Sequence, residues 1–126
     1  MILGIGTDLV LIERIDGVLQ RQGERFARRI LTDEELRRFQ LHRQPVRYLA
    51  KRYAAKEAIL KALGTGLAAG LTWHCMQIDN DSAGAPIVVL RGMALQRLEQ
   101  GGGGRMLLSL SDERDQALAF AVWSAG

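Results

Sequence analysis

Cysteine is nearly absent from this 126-residue chain: Cys75 stands alone, which excludes an intramolecular disulfide framework and a cysteine-based structural zinc site. A reducing cytoplasm is the compartment this usage predicts. Aromatic residues make up only 6%, too few for an exposed series of rings on which bases could stack, so no nucleic-acid partner is expected. No apolar run approaches the roughly 18 residues of a membrane span. The start, MILGIGTDLV, has no basic region ahead of its short apolar stretch, and we expect neither a cleaved signal peptide nor a membrane anchor. Histidine occurs twice, at His42 and His74, far apart and without further ligands at metal-binding spacing. Lysine is scarce as well: it supplies 3 of the 17 basic side chains, and arginine supplies 14.

What is present suits one packed unit. The chain is 48% apolar, enough for a core without disulfide or metal support, and its length predicts a single domain over residues 1–126. The net charge of +3 is mild, but its distribution is not. Between Arg14 and Arg52 lie eleven basic and five acidic residues, a local surplus larger than that of the whole chain. Arginine suits carboxylate and phosphate partners, so this half of the molecule points to something anionic.

The patterning predicts an α+β fold with an antiparallel sheet, one long helix and several shorter ones. Ile2 to Val10 reads as a strand whose Gly4 and Gly6 allow close backbone approach. From Ile12 the apolar residues Ile15, Val18, Leu19, Phe26 and Ile30 recur at helical spacing and predict one amphipathic helix with arginines on its other face. Thr32 with Glu35 is a capping-box signature for a second helix. Pro45, at a first-turn position, opens the longest helical signal, Val46 to Leu63, closed by Gly64. Trp73 to Ile78 and Pro86 to Leu90 predict a strand pair around a turn at residues 79–84. Gly92 to Gln100 reads as a short helix ending in the flexible Gly101–Gly104 tract. Arg105 to Leu110 and Ala117 to Trp123 complete a hairpin.

The densest chemistry lies in Arg52-Tyr53-Ala54-Ala55-Lys56-Glu57 and on through Lys61 to Gly64-Thr65-Gly66. Glu57 and Lys61 are four apart and share a helix face; this is either an exposed ion-pair ladder or a ligand site in which Lys61 meets phosphate and Glu57 holds a cation. In the second case Gly64, Thr65 and Gly66 offer backbone N–H groups and a hydroxyl to an anion. Asp8, at the end of an apolar strand, either caps the following helix or supplies one carboxylate of a magnesium site. Neither GxxxxGK[ST] nor GxGxxG occurs. Ser109, Ser111 and Asp112 lack a nucleophile-elbow frame. Cys75, Trp73 and His74 read as strand residues, and His42 as a solvated helix end.

Taken together, Gly4-Ile5-Gly6-Thr7-Asp8, Phe26-Ala27-Arg28-Arg29-Ile30-Leu31-Thr32, Arg52 to Ala58 with Lys61 to Gly66, Asn80-Asp81, and Ser109-Leu110-Ser111-Asp112 occur in the order seen in a known family. The chain resembles the holo-acyl carrier protein synthases, the small phosphopantetheinyl transferases of bacterial fatty-acid synthesis. The resemblance implies the 4′-phosphopantetheinyl transferase fold and transfer of the 4′-phosphopantetheine arm of coenzyme A to a serine of apo-acyl carrier protein. Adenosine 3′,5′-bisphosphate leaves. It further implies Mg2+ held by Asp8 and Glu57, with Asp8, Glu57 and Lys61 as the catalytic set. The preferred proton acceptor is a metal-bound water oriented by Glu57, with a direct carboxylate base as the alternative. Arg52, Lys56, Lys61, Gly64, Thr65, Gly66 and Pro86 are the positions expected to contact coenzyme A.

A homotrimer with sites at subunit boundaries is implied too. Acyl carrier proteins are acidic, and Arg14, Arg21, Arg25 and Arg28 recur at spacings that one helical face can display, so this row is expected to dock the carrier. Two positions depart from the family pattern. Asp112 stands where histidine is frequent, and Ala85 replaces a common lysine between Gly84 and Pro86. The rival reading is a non-catalytic basic module that binds an acidic protein or nucleic acid; Asp8, Glu57 and Lys61 together speak against it.

Overall fold

Side-chain alternation decides the central sheet. In β1 (Ile2–Leu11), Gly4, Gly6, Asp8 and Val10 turn to one face, while Ile5, Thr7, Leu9 and Leu11 turn to the other. The computed structural model describes residues 1–126. β1 pairs antiparallel with β5 (Gln116–Ser124), which pairs antiparallel with β4 (Arg105–Asp112), giving the order β1-β5-β4. Asp8 faces Ala119 and Gly6 faces Ala121 across the first pairing. Ala117, Ala119 and Ala121 leave the inner face of β5 low and fully covered.

The long helix α4 (Pro45–Leu63) lies on that inner face. Pro45 opens it, and Gly64 closes it in the left-handed conformation at φ 78°. A Cβ at Gly4 would strike the Ala62 carbonyl, and one at Gly6 would strike the Ala58 carbonyl. Strand and helix therefore meet almost backbone to backbone. Because α4 is covered nearly all round, its Leu49, Ala54, Ala55, Ala58, Ile59 and Leu63 form the centre of the core.

Three short helices pack beside it: α1 (Ile12–Gln22), α2 (Glu24–Ile30) and α3 (Asp33–Leu41). The predicted capping box is formed, with Thr32 Oγ1 accepting from the Glu35 N–H at 3.3 Å and Glu35 Oε1 accepting from the Thr32 N–H at 3.0 Å. A second antiparallel ribbon, β2 (Met76–Asn80) with β3 (Pro86–Leu90), and α5 (Gly92–Gln100) complete the domain. No helix is long and apolar enough to cross a membrane.

The fold class is as expected, with three differences. The strands divide into two sheets. The helix predicted from Ile12 to Ile30 is two, because Gly23 adopts φ 65°, ψ −155°, a conformation that favours glycine and breaks the helical path. Trp73–Cys75 is a short 3₁₀ turn, not strand, and it directs the Trp73 carbonyl at Lys56. The glycine tract is also more than a linker: Trp123 Nε1 donates to the Gly103 carbonyl at 2.8 Å.

Candidate functional site

Two residues beyond Gly6 on the same face of β1 stands the partly buried Asp8 carboxylate. Lys61 meets it from α4, with Nζ 3.4 Å from Asp8 Oδ1 and donating to the Thr7 carbonyl at 2.7 Å. Glu57 lies one helical turn before Lys61 on the same face. Burial raises the Asp8 carboxyl above its usual range, and Lys61 offsets part of that rise. Burial and then the Asp8 charge raise Glu57, while Lys61 and the Tyr53 hydroxyl act against the rise.

Two half-buried carboxylates thus share a single lysine. Asp8 does not cap α1, whose N-cap is Leu11 without a side-chain bond. No group of three or more aspartate, glutamate, histidine or cysteine side chains forms a protein-only metal cage. A pair of partly buried carboxylates on neighbouring elements fits Mg2+, which takes one or two protein carboxylates and completes its shell with water and substrate phosphate.

A cleft of about 300 Å³ opens beside this group, lined by Glu57, Leu60, Lys61, Gly64, Gly66 and Leu67 but not by Asp8. Gly64 and Gly66 therefore join the site. The Gly64 N–H does not serve an anion, because it caps α4 by donating to the Leu60 and Lys61 carbonyls at 3.0 and 3.1 Å. Thr65 turns instead to a smaller pocket with Leu71, Met93 and Arg97, where its hydroxyl is buried without a partner.

Arg52 and Pro86 belong to a second, larger cleft of about 680 Å³ whose cationic walls include Arg38, Arg47, Lys51 and Arg52. Arg52 is 4% exposed. Its guanidinium lies 4.6 Å over the Tyr48 ring and donates to Asn80 Oδ1 at 2.8 Å, and its Nε has no partner. Nine residues of α4 separate Arg52 from Lys61, about 13 Å along the axis. Arg47 and Lys51 were not among the site residues expected from the sequence; Lys51 directly precedes Arg52, and Arg47 lies five residues before it on the same helix. Asp112 sits among them at the end of β4: its carboxylate pairs with Arg47 at 2.8 Å and Lys51 at 3.4 Å. Burial pushes that carboxyl up, but the Arg47 and Lys51 contacts outweigh it and hold Asp112 below its usual value.

Lys56 is not brought to either cleft. Its side chain is 0% exposed and pairs at 2.7 Å with Glu35, which is equally buried. Its ammonium also donates to the carbonyls of Ile30 at 2.7 Å and Trp73 at 3.3 Å. Glu35 Oε2 in turn accepts from the Ile78 N–H at 2.8 Å. Lys56 therefore ties α2, α3, the 3₁₀ turn and β2 to α4, and the expected phosphate contact gives way to this structural role.

The docking row is divided as well. Arg14 and Arg21 lie on α1, whereas Arg25 and Arg28 lie on α2 beyond the Gly23 break, with Arg28 paired to Glu24 at 2.8 Å. His74 bonds the Arg28 carbonyl at 2.8 Å, and His42 Nδ1 accepts from the Gln44 N–H at 2.9 Å.

Comparison with known proteins gives a consistent picture. The model of the 4′-phosphopantetheinyl transferase superfamily matches residues 4–121. A holo-[acyl-carrier-protein] synthase of Vibrio cholerae is 50% identical over 122 residues, covering 97% of each chain. The crystal structure of a Neisseria meningitidis holo-[acyl-carrier-protein] synthase superposes with a TM-score of 0.90 at 48% identity, over 97% of this chain and 98% of that one. A Bacillus anthracis synthase solved in complex with CoA (3′,5′-ADP) superposes with a TM-score of 0.83 at 30% identity, over 100% and 99% of the two chains.

Proposed function

The chain belongs to the 4′-phosphopantetheinyl transferase superfamily, and from that premise we infer that it carries out the holo-acyl carrier protein synthase reaction. It transfers the 4′-phosphopantetheine arm of coenzyme A to a serine of apo-acyl carrier protein and releases adenosine 3′,5′-bisphosphate. The observation that carries this reading is the meeting of Asp8, Glu57 and Lys61 where β1 and α4 pack without intervening side chains. The serine oxygen attacks the phosphorus that bears the pantetheine arm, and the bond from that phosphorus to the bridging oxygen breaks toward the nucleotide.

Lys61, more than half exposed, keeps one N–H beyond its bonds to Thr7 and Asp8 for an oxygen of the pyrophosphate, where its charge offsets the charge that develops as the nucleotide departs. Glu57 is the group on this chain that receives or directs the serine proton, because its carboxylate stands at the cleft beside Lys61. Asp8 and Glu57 would hold Mg2+, which when bound supplies Lewis-acid polarisation of the phosphates.

The basic cleft around Arg47, Lys51, Arg52 and Pro86 suits the nucleotide end of coenzyme A, because its cations answer phosphate charge. We assign the reaction to cytoplasmic fatty-acid biosynthesis and the working form to a homotrimer. Support for assembly comes from the outer sheet face, where Ile5 is 61% and Leu9 59% exposed beside Leu107, Leu118 and Phe120. An exposed apolar patch of this kind marks an interface. A site between copies would also let one coenzyme A reach both clefts.

Chromatography of the nucleotide product tests the reaction: adenosine 3′,5′-bisphosphate is expected only when protein, coenzyme A, Mg2+ and apo-carrier are all present. Release without the carrier, or none under any metal condition, contradicts the reading. Reversing Arg14 and Arg21 to Glu is expected to weaken carrier use sharply and leave coenzyme A affinity nearly intact. Equal loss of both would remove these arginines from the docking surface.

A further inference from the structure

The four cations of the larger cleft differ in how their charge is answered. Arg38 pairs with Asp79 at 3.0 Å. Arg52 has no carboxylate partner; the Tyr48 ring lies beneath its guanidinium and the Asn80 side chain accepts from it. Arg47 and Lys51 share a single carboxylate, Asp112, at 2.8 and 3.4 Å, and this is the one acidic side chain in the cleft wall. The three side chains of that cluster are only 27–32% exposed, so water screens their charges incompletely.

Arg47 does not depend on Asp112 for its place. Its guanidinium also donates to the Glu113 carbonyl at 2.6 Å and to the Arg114 carbonyl at 2.8 Å, which tie it to the turn between β4 and β5. A neutral residue at position 112 leaves both of these bonds intact. What the carboxylate adds is a negative charge set between two cations of the cleft.

We propose that Asp112 is a resident counter-anion: it competes with ligand phosphate for Arg47 and Lys51, and so sets how tightly the cleft holds a nucleoside bisphosphate. A phosphate group that reaches this wall meets cations whose charge is half answered, and it meets the Asp112 charge as well. On the Arg52 side no carboxylate competes. In the transfer reaction the weaker hold favours departure of the nucleotide product. The inference rests on the assignment of this cleft to the nucleotide end of coenzyme A.

Asp112→Asn removes the charge while keeping the shape of the side chain and an oxygen that accepts from Arg47. Calorimetric titration with adenosine 3′,5′-bisphosphate, in the absence of Mg2+, is the direct readout. The dissociation constant is expected to fall about fivefold at low salt in Asp112→Asn, and the gain should shrink as salt is added. Asp112→Glu restores the charge and is expected to bind as the wild type does. Loss of a merely structural contact would weaken binding, so the sign of the change separates the two roles. Affinity in Asp112→Asn equal to or below that of the wild type, or a gain of the same size at high salt, overturns the proposal. Lys51→Ala is expected to weaken bisphosphate binding. If it does so while Asp112→Asn binds as the wild type, the role of Asp112 falls and the assignment of the cleft stands. If neither variant alters binding, that assignment falls and Asp112 falls with it.

Discussion

Lys56 and Glu57 are neighbours on α4, and one step of about 100° around the helix sends them to opposite environments. The Lys56 ammonium closes a network with Glu35, Ile30 and Trp73 inside the core, and the Glu57 carboxylate looks into a cleft beside Lys61. The sequence showed the charge of Lys56 and not its burial, because its partner Glu35 lies 21 residues away and was already accounted for by the capping box. Glu57 was legible because its spacing to Lys61 is local. Asp112 is the other residue whose role needed coordinates, since Arg47 and Lys51 reach it from a different element. Its carboxyl is held low in the folded state, so its contribution to stability is present above the unfolded value and is lost as pH falls through the folded one. Asp112→Asn is expected to cost about 1 kcal/mol at neutral pH, as a partly exposed pair does. Denaturation at a series of pH values checks this: the gap from the wild type should close in acid, and a gap that persists there would contradict the assignment.

At the scale of elements, the close contact of β1 and α4 makes the site, and Gly4 and Gly6 of β1 announced a close backbone approach in the sequence, though not that α4 would make it. Small residues on both sides bring the two backbones together and carry Asp8 to Lys61. Gly6→Ala would place a methyl against the Ala58 carbonyl and 2.8 Å from Lys61 Cβ. We expect a loss of roughly 1–3 kcal/mol from overpacking, together with a drop in kcat larger than that seen for a Gly17→Ala control on α1. Thermal melts and steady-state kinetics on both variants measure this, and a Gly6→Ala protein with unchanged kcat would show that the spacing of strand and helix is not what sets the site. The break at Gly23 was not legible from periodicity. Ile15, Val18, Leu19, Phe26 and Ile30 keep helical spacing across it, and only the backbone angles at Gly23 show two helices. The arginine row consequently spans α1 and α2 and presents two segments to a carrier.

For the whole molecule, sequence patterning gave the α+β class but not the division of strands into two sheets, because pairing partners are far apart in the chain. One chain also leaves its outer sheet face largely apolar and divides its expected coenzyme A contacts among two clefts, a smaller pocket at Thr65 and, for Lys56, the core. In the proposed homotrimer that face would be covered by neighbouring copies. Phe120→Asp sets a charge in the middle of that face, 42% exposed in the single chain. Light scattering coupled to size-exclusion chromatography should show a trimer for the wild type and smaller species for the variant, with little transfer activity left. A variant that keeps the wild-type mass would exclude the face as the interface. The reaction itself is tested most directly by the intact mass of apo-acyl carrier protein after incubation with this protein, coenzyme A and Mg2+. The account predicts a gain of one phosphopantetheine with the wild type and none with Asp8→Ala or after chelation; a carrier left unmodified by the wild type, or modified equally well by Asp8→Ala, would contradict it.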